Sequence, residues 1–142
     1  MDIREFHWLM NIIQTIDVGL MVLDRDYKIQ IWNGFMESHS GQLSVDIKDR
    51  NLFEQFPEID EQWFKRKAEL VFKLNIRGFT TWEQKPCLIR FCNYRPITGS
   101  SDFMYQNMTL LPLLSFTGKV EHIAVMLYDA TDQAIDSKNQ QE

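Results

Sequence analysis

The run Ile16-Asp17-Val18-Gly19-Leu20-Met21-Val22-Leu23-Asp24-Arg25-Asp26, continued past Tyr27 by Lys28-Ile29-Gln30-Ile31-Trp32-Asn33, reads as two strands joined by a tight turn. Residues 19–23 are β-prone, Asp24-Arg25-Asp26 is turn chemistry, and 28–32 alternate polar and apolar at period two until they end on Trp32. Asn33 then stands where its short side chain can cap a helix start. Gly34-Phe35-Met36-Glu37 supplies the first turn and Gly41 the stop.

Upstream of this hairpin, Phe6, Leu9, Met10 and Ile13 follow helical spacing, with Trp8 and Ile12 on another side. A helix that is apolar on more than one face packs on its own domain and on something else. A second copy of the chain is the simplest candidate, so residues 1–15 are assigned to a dimerisation helix using Phe6, Trp8, Leu9, Ile12 and Ile13.

Downstream, residues 49–57 read as loop and short helical turns anchored by Leu52, Phe53 and Phe56. Asp60 caps a helix over 61–75 whose stripe is Phe64, Ala68, Val71 and Phe72, widened by Leu70 and Leu74, with Gly78 as its stop. Residues 79–83 and 88–91 read as one strand or as two pieces around Lys85-Pro86, and 95–100 as a loop. A strand over 103–111 ends near Pro112, and Thr117-Gly118-Lys119 turns into a last strand over 120–128. There Ile123, Val125 and Leu127 share one face, and Ala124, Met126 and Tyr128 the other. Both faces are apolar, so that strand is expected to be central. The tail from Thr131 can start a helix but shows no core-facing stripe. Strands grouped together, not alternating singly with helices, give an α+β class: a five-stranded antiparallel sheet with helices on one face, plus the amphipathic N-terminal helix.

Composition narrows the functions. The 142 residues, 44% hydrophobic and 13% aromatic, suffice for one domain with a real core. A net charge of −5 with no basic run longer than Lys65-Arg66-Lys67 is a poor match for nucleic acid. Two cysteines, Cys87 and Cys92, suit a reducing cytoplasm. The charged start Met1-Asp2-Ile3-Arg4-Glu5 is not signal-peptide-like, and no apolar run reaches the roughly 18–20 residues of a membrane span. There is no G-x-S-x-G elbow and no phosphate-binding glycine loop, and the acidic pairs fall at turns. No enzyme activity is expected of this chain. His7, His39 and His122 lie on three different elements, so no metal is expected either.

The element order and four local motifs resemble the PAS family of sensory domains. Residues 16–26 look like its opening strand and turn, and 28–33 like its second strand with the terminal W-N. Phe53-Glu54-Gln55-Phe56-Pro57 is similar to the segment before its long helix, and Asp129-Ala130-Thr131-Asp132 to its D-x-T-[DE] hand-over to an output. The resemblance covers 16–132, leaving 133–142 as the start of a connector to an output domain in cis. Asn93-Tyr94-Arg95-Pro96-Ile97-Thr98-Gly99 with Phe103-Met104-Tyr105-Gln106-Asn107 is similar to PAS domains preceding GGDEF diguanylate cyclases. The chain has no GG[DE]EF sequence, so a cyclase or a histidine kinase would lie outside it.

The resemblance implies a pocket between sheet and helices. Trp82, Phe91, Tyr105, Met126 and Tyr128 are candidate walls, Arg90 or Arg95 a partner for a carboxylate or phosphate, and Gln106 or Asn107 a directional hydrogen bond. A small metabolite in that pocket is weighed evenly against a filled core. No cofactor is expected: the long helix holds no His for haem, and no N-C-R-F-L-Q-like helix is present for flavin. Cys87 and Cys92 are read as inert packing. Asp129, Thr131 and Asp132 are the expected signal-transfer residues. The competing reading is a PAS module used only for dimerisation, with no ligand.

Overall fold

The computed structural model describes residues 2–91 and 103–140. Helix α1 (Ile3–Thr15) starts on Asp2, whose carboxylate accepts the Glu5 N–H at 2.9 Å. Strands β1 (Gly19–Asp24) and β2 (Ile29–Trp32) follow, then helices α2 (Gly34–Ser40), α3 (Ser44–Ile47), α4 (Leu52–Gln55) and α5 (Glu61–Leu74). Strands β3 (Gly78–Thr80), β4 (Gln106–Leu114) and β5 (Val120–Asp129) lead into α6 (Thr131–Gln140). The strands form one antiparallel sheet in the order β2-β1-β5-β4-β3. β5 is therefore central, as its two apolar faces require.

One core joins the sheet to α2–α5. Met21, Leu23, Met108, Leu110, Ile123, Val125 and Leu127 project from the strands onto Phe35, Met36, Phe64, Ala68, Val71 and Phe72. Phe64, Ala68, Val71 and Phe72 of α5 are buried as expected, whereas Leu70 and Leu74, expected to widen that stripe, are exposed because they turn off the sheet-facing side. Asp60 caps that helix, accepting the Trp63 N–H and the Lys85 ammonium at 3.2 Å each. These two donors, in that order, hold its carboxyl below the usual carboxylate range.

Tyr27 sits at the hairpin turn in the left-handed region, φ 62°. An aromatic side chain there is strained, and packing holds it. Its ring meets Phe53 at 5.3 Å, Phe64 at 6.1 Å and Phe72 at 6.3 Å. Its hydroxyl donates to Glu69 at 3.3 Å, and burial followed by the Glu69 charge pushes the phenol up to about 12.

Four other sequence expectations are corrected. Asn75, at φ 52°, stops α5 where Gly78 was expected, and Gly78 instead opens β3. The strand expected over 79–83 ends at Thr80. Residues 81–91 turn back and meet β4 through separate bonds in place of a ladder. β4 runs through Pro112 to Leu114. Met104 and Gln106 point their N–H groups away from β5, to Phe91 and Pro86 carbonyls, at 2.9 and 2.8 Å. Two-residue alternation gives Pro112 the same sense, on an edge that β3 does not reach because it pairs only with Met108 to Leu110. The missing N–H therefore breaks no bond to β5. Finally, the tail does have an inward contact, since Ala134 of α6 is fully buried. Cys92, Asn93, Arg95 and the loop expected over 95–100 lie outside the described residues.

Candidate functional site

Two junctions bring together the residues that carry this domain's chemistry. The first joins 86–91, the start of β4, and α6. Gln106 is 2% exposed. Its amide oxygen accepts the Leu88 N–H at 2.9 Å, and its amide nitrogen donates to the Ile89 carbonyl at 2.8 Å. Both ends are thus committed to backbone. Asn107, facing the other way, accepts the Trp82 N–H at 2.9 Å.

Tyr105 lies between these residues and α6. Its carbonyl accepts the Ala130 N–H at 2.8 Å, and its N–H donates to the Thr131 hydroxyl at 3.2 Å. Thr131 is buried, and its own N–H is held by the Asp129 carboxylate at 2.9 Å. Asp132 follows in the first turn of α6. The Tyr105 ring packs against Trp82 (5.7 Å), Phe103 (4.8 Å), Ala130 and Ala134 as a cluster separate from the main core. From α6 the Lys138 ammonium lies 4.6 Å from the ring centroid and bonds the phenol oxygen. The Arg90 guanidinium caps Phe103 at 5.1 Å.

The residues expected to wall one pocket are therefore divided among three places. Phe91 belongs to the main core, and Trp82 and Tyr105 to the cluster under α6. Met126 and Tyr128 alternate with the inward Val125 and Leu127, which puts them on the sheet's opposite face. An open groove of about 500 Å³ on that face is bordered by Tyr128, Asn107, Phe79 and Gln133.

The second junction is one the sequence showed only in part. Asn33 is 1% exposed and does far more than cap α2. Its oxygen accepts the Leu20 N–H at 3.0 Å and the Met36 N–H at 3.3 Å. Its nitrogen donates to the Ile13 carbonyl at 2.9 Å and the Val18 carbonyl at 2.8 Å. One amide thus fastens α1, β1 and α2 together. Beside it, Gln14 donates to Glu37 at 2.7 Å, and the Gln14 carbonyl lies so close to Gly34 that a Cβ there would come within 2.2 Å. By contrast, the apolar side chains of α1 are unburied: Phe6, Trp8, Leu9 and Ile12 are exposed and Ile13 is half-buried.

His39, at the end of α2, borders two open grooves of about 530 and 330 Å³. Its ring rests 4.3 Å from Phe35 and 5.8 Å from Phe91. Burial lowers its pKa, opposed by the charges of Asp129 and Asp17. Folded His39 thus takes up a proton less readily than unfolded His39. Its contribution to stability is complete above the ordinary value of about 6.5 and shrinks as pH falls through the lower folded value. The stability of His39→Gln should therefore decline less than the parent's between about pH 7 and 5. Parallel curves in urea titrations at each pH would reject this. Among the described residues no three His, Cys, Asp or Glu side chains are placed to hold a metal ion, and no helix is long and apolar enough to cross a membrane.

The family model of the PAS fold matches residues 9–98. The chain belongs to the PAS family. Its fold is the PAS fold, an α+β arrangement with a five-stranded antiparallel sheet. This PAS domain is similar to a sensory box sensor histidine kinase from Vibrio cholerae, with 27% identity over 90% of this chain and 93% of that one, and a TM-score of 0.64. It shares its fold with an RNA-binding light-oxygen-voltage receptor at 16% identity, covering 96% of this chain and 36% of that one, TM-score 0.67. It also shares it with the histidine kinase ThkA in complex with the response regulator TrrA, at 19% identity, covering 92% and 34%, TM-score 0.63. No curated protein sequence matches the chain significantly.

Proposed function

We propose that this PAS domain is a cytoplasmic signal-input module that pairs with a second copy through α1 and controls a catalytic output carried elsewhere in its protein. The observation that carries the proposal is the passage from β5 into α6, where Asp129 and Thr131 link the last strand, Tyr105 and the outgoing helix. A histidine kinase is the first output to test, supported by the similarity to the Vibrio cholerae protein. A GGDEF diguanylate cyclase is the second, resting on the resemblance of 93–99 and 103–107. Haem and flavin remain disfavoured, because α5 offers no His and no flavin-type Cys helix is present.

The alternative, association without a ligand, draws support from the interior. Phe64, Phe91, Met21 and Leu110 fill the space between sheet and helices, and Gln106 is occupied by backbone. In the longer protein, Asp129→Ala with Thr131→Ala should reduce the signal-dependent change in output about fivefold or more, given about 1 kcal/mol for the lost Asp129 cap alone. Unchanged regulation would reject the signal-input reading. Native mass spectrometry with an absorbance scan of the purified chain should show a colourless dimer. A bound metabolite in those spectra would favour sensing over association alone.

A further inference from the structure

Residues 86–91 and helix α6 do not have to touch to influence one another, because both are fastened to the same three residues. Met104 and Gln106 turn their N–H groups to Phe91 and Pro86, and the Gln106 amide adds bonds to Leu88 and Ile89. Tyr105 between them faces the opposite way, to Ala130 and Thr131, because neighbouring residues of an extended chain point to opposite sides. Its ring then carries Ala134 and Lys138 of α6. Any displacement of 86–91 that keeps its four bonds must shift 104–106, and with it the ring beneath α6.

We infer that Tyr105 is a positioning residue that makes the docking of α6 depend on the placement of 86–91. This deepens the signal-input reading and rests on it for its purpose, but its test is read in the chain alone. Coupling between two sites is reciprocal. Loosening either end must therefore loosen the other, whereas plain local packing confines each effect to its own segment.

The experiment is amide hydrogen exchange of the whole chain by mass spectrometry. Lys138→Met removes the cation that α6 sets over the Tyr105 ring and leaves the main core untouched. It should speed exchange about three- to tenfold in α6, the range set by a cation–ring contact, and measurably in 86–91, with α5 unchanged. Gln106→Leu keeps the volume and removes both amide bonds; it should speed exchange about tenfold or more in 86–91 and also in α6. If each variant affects only its own segment, the inference is overturned. Should Gln106→Leu fail to fold, Lys138→Met alone decides, through the presence or absence of an effect on 86–91. Reciprocal exchange alongside an output that ignores these substitutions would leave the coupling standing and sink the signalling reading.

Discussion

Replacing Asn33 with alanine should destabilise the domain by about 3–5 kcal/mol, because four hydrogen bonds are lost inside the protein and their partners are left facing apolar surroundings. For a domain of this size that is a fall of roughly 10 °C or more in Tm. The informative companion is Asn33→Asp. Asp is as good a helix cap as Asn, so a residue serving only as the α2 cap would tolerate the exchange. Here the carboxylate keeps the oxygen that accepts from Leu20 and Met36, but turns a second oxygen toward the carbonyls of Ile13 and Val18. A buried anion against two acceptors has no compensation, so Asn33→Asp should be at least as damaging as alanine. Urea titrations of both variants measure this, and a near-neutral Asp variant would show that the amide is not a hub.

Phe64→Ala is the other large expected effect, also about 3–5 kcal/mol. Phe64 is fully buried and its ring lies 6.0 Å from Phe53 and 6.1 Å from Tyr27. The cavity would remove one of the rings that keep Tyr27 in its left-handed conformation. Leu70→Ala, on the same helix but exposed, should stay within about 0.5 kcal/mol. The pair separates burial from helix propensity, since alanine is a good helix former at both positions. Equal losses at the two sites would contradict the assigned core face.

The helix stripe at 64, 68, 71 and 72 and the two apolar faces of β5 were legible because burial imprints a period on neighbouring residues. Asn33 illustrates the limit. Its contact with Met36 is local and readable, while those with Ile13, Val18 and Leu20 depend on where three elements meet. The same holds at Gln106. A polar residue in an apolar strand reads as a ligand contact, yet its partners are the Leu88 and Ile89 backbone, brought there by a chain reversal with no periodic signature. Met126 and Tyr128 were correctly placed opposite Ile123, Val125 and Leu127. Grouping them with Phe91 fails because the sheet stands between, while Tyr105, on their own face, is covered by α6. The buried Ala134 leaves no such signal, because a single small residue makes no stripe.

Pro112 has a consequence of another kind. Along the side of β4 away from β5, residues 86–91 guard the beginning and β3 the middle, and among the described residues no strand pairs with the last stretch. A bare strand margin is a template on which another chain can crystallise its own backbone. With no proton on its ring nitrogen, Pro112 spoils the register of donors at that spot. Pro112 thereby makes that stretch, beside the exposed Leu113 and Leu114, a poorer template for edge-to-edge pairing.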